Sequence, residues 1–263
     1  PIAEIAKVSR ELPKFGIKLL SPNLLKSEMD FSIEGDNLRF GLTSIKGISD
    51  KSIKKLESFK NKYSTKFEVF QGASEAGIGI GILSALIQAG ALEGEFDHSR
   101  SYIVAESQLW NLLTPREKAK AFDVSEEKKC DLMQIVKFLN KELKDEKGRP
   151  FIKDSRIDTI RRNFKPYNEI YKKNKRNEDF ANWYYENSLL GYTHGKFLRK
   201  VSSEYSHLES IESALSKDDN SRVNFIGTVE DTYSAKSRKG TPYLRLTIQD
   251  ETGVCTAMIF TQK

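Results

Sequence analysis

A multidomain α+β chain, mainly helical and ending in a small antiparallel β segment, is the fold class that three features of this 263-residue sequence predict. Two glycine turns, at Lys46-Gly47-Ile48 and at Ala89-Gly90-Ala91, are set among apolar residues at helical spacing. A basic stretch with helical character fills the middle of the chain. Near the end, Arg222 to Glu230 and Tyr243 to Gly253 alternate apolar and polar residues around a basic loop, the period of two that a strand with one buried face requires.

The first segment, residues 1–42, opens with a helix over Ile2 to Leu12 that Pro13 ends. Asp30 to Glu34 and Leu38 to Leu42 then flank Gly35-Asp36-Asn37 as a short hairpin. Residues 43–115 are expected to form a tandem helix-hairpin-helix domain. In its first half a bend at Gly47-Ile48-Ser49 precedes a helix that Ser49 or Asp50 caps. Such a bend exposes backbone N–H groups at the positive end of a helix, where a phosphate can sit, and Lys46 and Lys51 add charge. Lys46, Gly47, Ile48, Ser49 and Lys51 are therefore the candidate contacts to duplex DNA, made without reading its bases. In the second half, Ile82 to Leu92 reads as helix and hairpin, followed by a helix from Ser99 to Leu113. Gly77-Ile-Gly-Ile-Gly81 lacks the Lys-Ser/Thr of a P-loop and a ribose-binding acid, so it reads as a turn with close helix packing.

Residues 116–217 form a helical region, with helices expected over Glu126 to Glu146 and Asp179 to Leu190. Between Lys141 and Arg176 thirteen Lys/Arg face six Asp/Glu, a local net of +7 against +6 for the whole chain. With Phe151, Phe164, Tyr167 and Tyr171 interleaved, this block would concentrate a polyanion. No strong apolar face accompanies it, which disfavours a membrane surface. Asp218 to Ser221 links to the last segment, residues 218–263. There Val223, Phe225, Gly227 and Val229 make one stripe and Leu244, Leu246 and Ile248 another. Asp250-Glu-Thr-Gly253 turns into a third strand over Val254 to Phe260. This is how an oligonucleotide-binding barrel, the OB-fold, begins, and it is expected to be incomplete because the chain stops at Lys263. Lys236, Arg238 and Lys239 on the loop, with Tyr243 and Arg245 on the face opposite the Leu/Ile stripe, are the candidate contacts to single-stranded DNA. A start at Pro1 without Met and a stop inside an apparent barrel lead to the expectation of a piece of something longer.

Charged residues make up 30% of the chain and no apolar run is long enough for a bilayer, nor is a signal peptide evident, so it reads as a cytoplasmic protein. Cys130 and Cys255 are isolated, giving neither a disulfide framework nor a zinc site. No Asp-x-Asp strand, histidine cluster or activated nucleophile points to catalysis; Asp250-Glu251 sits in a turn, where carboxylates serve turn geometry.

Four separated segments resemble a known family. Phe15 to Asn23, Ser27 to Phe31 and Leu38 to Ile48 together are similar to the end of the fingers and start of the helix-hairpin-helix region in bacterial replicative DNA polymerases of the C family, the polymerase III alpha subunits. Leu86-Ile-Gln-Ala-Gly-Ala91 resembles that family's second hairpin. Ser188-Leu-Leu-Gly-Tyr192 resembles the segment leading into its barrel, and Gly227-Thr-Val229 with Ile248 to Gly253 resembles the barrel itself. The likeness covers most of the chain except roughly Ser125 to Arg176, and Thr193-His194-Gly195-Lys196 departs from the family's Gly-His-Pro step. Such drift suits a divergent version from an AT-rich bacterium or a phage.

The resemblance implies a non-catalytic, DNA-binding C-terminal portion of a replicative polymerase. Its hairpins would hold duplex and its barrel single-stranded template. The family's nucleotidyl transfer uses metal-binding aspartates of a palm that has no counterpart here, so Mg belongs to the parent's palm and no cofactor is expected in this fragment. Partners would be DNA, a sliding clamp and other replisome subunits. Gln108, Leu109 and Leu112 resemble the clamp-binding peptide, yet they also continue a helical apolar pattern from Tyr102 and Val104. Two other classes stay open: a stand-alone accessory DNA-binding protein of repair or recombination built from the same modules, and a nuclease or other metal-dependent enzyme.

Overall fold

The computed structural model describes residues 2–92, 98–128, 130–193, 197–201 and 203–260. In chain order, α1 (Ile2–Glu11) is followed by β1 (Leu19–Leu20), β2 (Ser32–Glu34) and β3 (Asn37–Arg39). Eight helices come next: α2 (Ile53–Phe59), α3 (Lys66–Glu75), α4 (Ile80–Gln88), α5 (Arg100–Asn111), α6 (Pro115–Glu127), α7 (Leu132–Lys141), α8 (Asp154–Arg176) and α9 (Glu178–Leu190). The short helices α10 (Leu198–Val201) and α11 (Ile211–Leu215) precede β4 (Thr228–Lys236), β5 (Pro242–Gln249) and β6 (Val254–Phe260). The chain divides into two compact units, residues 16–190 and residues 1–15 with 191–263.

In the unit of residues 16–190, β2 and β3 pair antiparallel around the Gly35 turn and β1 joins β3 in parallel. The helices are started by local chemistry. Thr65 caps α3 and Ser99 caps α5, each hydroxyl accepting a backbone N–H of the first turn. Thr114 with Glu117 and Asp131 with Gln134 form reciprocal capping boxes on α6 and α7, and Pro115 begins α6 where no N–H is needed. The helix expected over Glu126 to Glu146 is shorter: α6 ends at Glu127, the second box starts α7 afresh at Leu132, and α7 stops at Lys141. Helix α5 is the hub, packed by α3, α4, α7, α8 and α9, so the helices of segment 116–190 share one core with the hairpin helices. That core includes Phe70, Trp110 and Trp183 together with Leu86, Ile103, Leu109 and Leu132. Burying each such side chain contributes about 1.5–3 kcal/mol, the term that holds helices of seven to thirteen residues.

Glu106 and Glu117 are buried carboxylates of this core, each held by a cation. Glu106 pairs with the Lys66 ammonium, accepts the Tyr102 hydroxyl and takes the Leu132 N–H, tying α3, α5 and α7 together. Burial and the adjacent Glu106 push the Tyr102 phenol far above its ordinary pKa. Arg156 of α8 donates to both carboxylate oxygens of Glu117 and to the Leu112 carbonyl. Burial pushes Glu117 upward, but the Arg156 bonds and the Thr114 N–H outweigh it and hold the carboxyl below its usual pKa.

In the unit of residues 1–15 and 191–263, β4, β5 and β6 make an antiparallel meander. Among the described residues no further strand joins it and no barrel closes. The first strand begins at Thr228 rather than Arg222 and runs on to Lys236, so the basic loop shortens to Ser237–Thr241. Phe225 instead bridges Glu209 in parallel, and Gly227 lies where a Cβ would meet Ile248 Cγ2 at 2.4 Å. Asp250 organises the β5–β6 turn, accepting from Thr252 and Gly253, and its second oxygen takes the Ile211 N–H at the start of α11. Its carboxylate thus serves the turn. The stretch His194-Gly195-Lys196 lies outside the described residues.

Candidate nucleic-acid interface

The Gly47 turn is built from anchors below and open backbone above. Ile45, Ile48 and Leu56 are buried, whereas Lys46, Gly47, Ser49, Asp50 and Lys51 are exposed. Gly47 has φ +91°, and a Cβ there would meet nothing within 4 Å. Ser49 stands before the one-turn 3₁₀ helix Asp50–Ser52 that leads into α2, and its hydroxyl makes no capping bond. The N–H groups of Gly47, Ser49, Asp50 and Lys51 donate to no described residue. Two members of the expected set do other work. Ile48 is a buried anchor whose N–H returns to Ile45, and the Lys46 N–H is taken by the Leu189 carbonyl, which leaves its side chain as the outward group.

The second turn is its opposite. Gly90 also has positive φ, +82°, but Ala89, Gly90, Ala91 and Leu92 are all buried. Arg100 fills the space a Cβ would need, with Nη2 at 2.5 Å, and its guanidinium bonds Glu186 of α9 and the Gln88 carbonyl. The Ala91 carbonyl accepts from the Leu24 N–H. This turn is a packing joint and offers no backbone to a ligand.

A turn that the sequence reading sets aside has the open geometry. Between α3 and α4, Gly77 (φ +68°) and Gly79 flank the buried Ile78, and Gly77, Gly79 and Gly81 are exposed. Helix α4 starts without a side-chain cap, and the N–H groups of Gly79, Ile80, Gly81 and Ile82 donate to no described residue. The Lys55 side chain of α2 passes 3.8 Å from the Gly77 Cβ position, so one lysine joins this turn to the helix that follows Gly47. A P-loop lysine or a ribose-binding acid is not what such a turn needs. A glycine on either side of an apolar anchor is, and that signal is present in the sequence.

On the three-stranded sheet, register places Tyr233 opposite Arg245 and Ala235, Tyr243 and Phe260 in one row. Opposed residues share a face, so Tyr233, Tyr243, Arg245, Met258 and Phe260 lie together, away from Leu244, Leu246 and Ile248. The Arg245 guanidinium sits 5.0 Å over the Tyr233 ring and Tyr243 is 5.7 Å from Phe260. Arg238 and Lys239 are exposed at the tip of the hairpin, and Lys236 closes β4 opposite Pro242. Tyr233, Met258 and Phe260 are additions that only the strand register reveals.

The Gln108–Leu113 segment lies in and just after α5. Leu109 is 1% exposed and Leu113 4%, and the Gln108 amide bonds the Ser84 hydroxyl. An extended clamp peptide must present its anchors, so this segment is core rather than clamp contact, with Leu112 half-buried at the helix end. Among the described residues no cluster of His, Cys, Asp and Glu could hold a metal ion, and no helix is long and apolar enough to cross a membrane.

Residues 16–102 match the helix-hairpin-helix motif family, a span that starts with the first strands and includes all three glycine turns. The chain is 33% identical over 87 residues to DNA polymerase III subunit alpha of Aquifex aeolicus, covering 30% of this chain and 7% of that protein. It is 29% identical over 93 residues to DNA polymerase III subunit alpha of Saccharopolyspora erythraea, covering 34% of this chain and 8% of that protein. The matched stretch thus spans less than a tenth of either relative. Residues 16–102 thus match the helix-hairpin-helix motif family, and about a third of the chain is similar to DNA polymerase III alpha subunits.

Proposed function

We propose that this chain is a non-catalytic DNA-binding portion of a replicative polymerase, in which the Gly47 turn grips the backbone of duplex DNA. The observation that carries the reading is the open turn itself: the unpaired N–H groups of Gly47, Ser49, Asp50 and Lys51, framed by the exposed Lys46 and Lys51 side chains, within the segment that matches the motif family. Backbone amides and lysines contact phosphate without reading sequence. The Gly77–Gly81 turn, bridged by Lys55, extends the same surface by a second phosphate.

The β4–β6 sheet is proposed as part of an OB-fold that takes single-stranded template. Its Tyr233, Tyr243 and Phe260 rings supply stacking faces, and Arg245, Lys236, Arg238 and Lys239 supply charge. Nucleotidyl transfer and its Mg are assigned to a palm elsewhere in the parent, and any clamp contact to a segment other than α5.

The test is paired binding of labelled duplex and labelled oligothymidylate. Tyr243→Ala with Arg245→Ala is expected to weaken the single strand and spare the duplex, with an unchanged unfolding midpoint. Equal affinity of parent and variant for the single strand would sink the sheet assignment. Primer extension by the purified chain with Mg would sink the non-catalytic one.

A further inference from the structure

A cavity of about 550 Å³ opens between α5, α7 and α8, within the range of small-ligand sites. Its floor is apolar, with Ala105 and Leu109 of α5, and its walls carry the rings of Tyr102, Phe164 and Tyr171. Tyr102 is already committed. Its hydroxyl donates to Glu106, His98 stacks on its ring, and the Tyr171 ring meets it edge-on at 6.0 Å. Phe164 is half-buried and makes no ring contact with a described aromatic residue, so its ring is what an entering planar group would meet.

Charge on the walls is positive on balance once existing ion pairs are removed, with Asp131 the carboxylate left against Lys137 and Lys165. Glu106 is neutralised by Lys66, Asp131 accepts the Gln134 N–H as the cap of α7, and Glu169 pairs with Lys172. Lys137 and Lys165 line the same cavity and form no ion pair or hydrogen bond with a described residue. Lys165 acts on Glu169 only through its field. Arg161 reaches Asp158 at 3.7 Å, an exposed pair of small worth. The larger cavity of this unit, about 680 Å³, has the opposite character: Glu68, Glu75 and Asp123 face Lys62, and a polyanion would be repelled.

We propose that the cavity between α5, α7 and α8 binds a nucleotide, one nucleobase stacked on Phe164 with its phosphate held by Lys137 and Lys165. Flat aromatic faces beside uncommitted ammonium groups are the chemistry that recognises a base together with its phosphate. The ligand is a free nucleotide or one nucleotide splayed from a single strand. The site lies apart from the Gly47 turn and its occupancy does not depend on duplex binding there.

The experiment titrates the full chain with deoxyadenylate, with short oligothymidylate and with an abasic strand of equal length. Lys137→Glu/Lys165→Glu alters two exposed side chains, so folding is not at stake. Phe164→Ala is read beside its unfolding midpoint, and Arg162→Glu/Lys173→Glu is the charge control on exposed positions outside the cavity. Saturable deoxyadenylate binding that falls about tenfold or more in the lysine pair and in Phe164→Ala supports the site with free nucleotide as ligand. No deoxyadenylate binding, but an oligothymidylate affinity that falls as much while Phe164→Ala leaves the abasic strand unaffected, supports a strand as the source. Unchanged affinity in the lysine pair, no binding of either ligand by the parent, or an equal loss in the Arg162/Lys173 control overturns the proposal.

Discussion

Gly47 and Gly90 occupy turns of nearly the same backbone conformation, φ +91° and +82°, yet one faces solvent and the other is packed shut. Around Gly47 the side chains that hold the turn, Ile45 and Ile48, point inward, and the lysines and free N–H groups are left outside. Around Gly90 the guanidinium of Arg100 occupies the missing Cβ volume and is bound to a buried Glu186 from a distant helix. Positive φ explains why each is glycine. What covers the turn decides whether its backbone is open or closed between helices.

The largest effect should come from breaking the buried joint. Arg100→Ala removes the guanidinium 2.6 Å from the Glu186 carboxylate, 5% exposed, and urea unfolding should show a loss of about 3–5 kcal/mol. Gly90→Ala must displace the same guanidinium at a left-handed position and should cost about 2–3 kcal/mol, whereas Gly47→Ala, with open space around it, should cost about 1 kcal/mol. Equal losses for the two alanines would erase the contrast. A smaller, pH-dependent effect belongs to the buried side as well. Glu117 has a depressed pKa, so its contribution is fully present above the ordinary value of 4.5 and is lost as pH falls through the lower folded value. The unfolding free energy of Glu117→Gln should therefore change less between neutral and acid pH than that of the parent, and parallel pH profiles would contradict the Arg156 pairing.

Much of this was legible in local sequence. Helix α1 stops at Glu11, within a residue of the expected end, the Gly35 turn makes a hairpin, α9 falls at Glu178–Leu190 within a residue of the expected start, and Asp250 makes the turn before β6. The open Gly47 turn was legible too, because its glycine, anchors and lysines are neighbours. Long-range partners were not. Nothing near Gly90 announces that Glu186, ninety-six positions on, closes it through Arg100. The break between α6 and α7 was hidden because apolar spacing runs on while Asp131 and Gln134 restart the helix. Residues 222–227 alternate like a strand, but Phe225 bridges Glu209 and Gly227 packs against Ile248 without joining the β4–β5 ladder. Tyr233 and Phe260 joined Tyr243 only through register, which includes an irregularity between Val229 and Asp231 that alternation in one strand cannot reveal.

Whether the open turn rather than the buried one meets DNA is read by titrating a labelled duplex of mixed sequence across a range of salt concentrations with the parent and Lys46→Ala/Lys51→Ala. Both lysines are exposed, so stability should stay within about 0.5 kcal/mol of the parent. The parent should bind with affinity that falls steeply and linearly on logarithmic axes, and the variant should bind more weakly with a slope shallower by about two. A variant matching the parent in affinity and slope, or a parent that binds no duplex at low salt, would contradict the account.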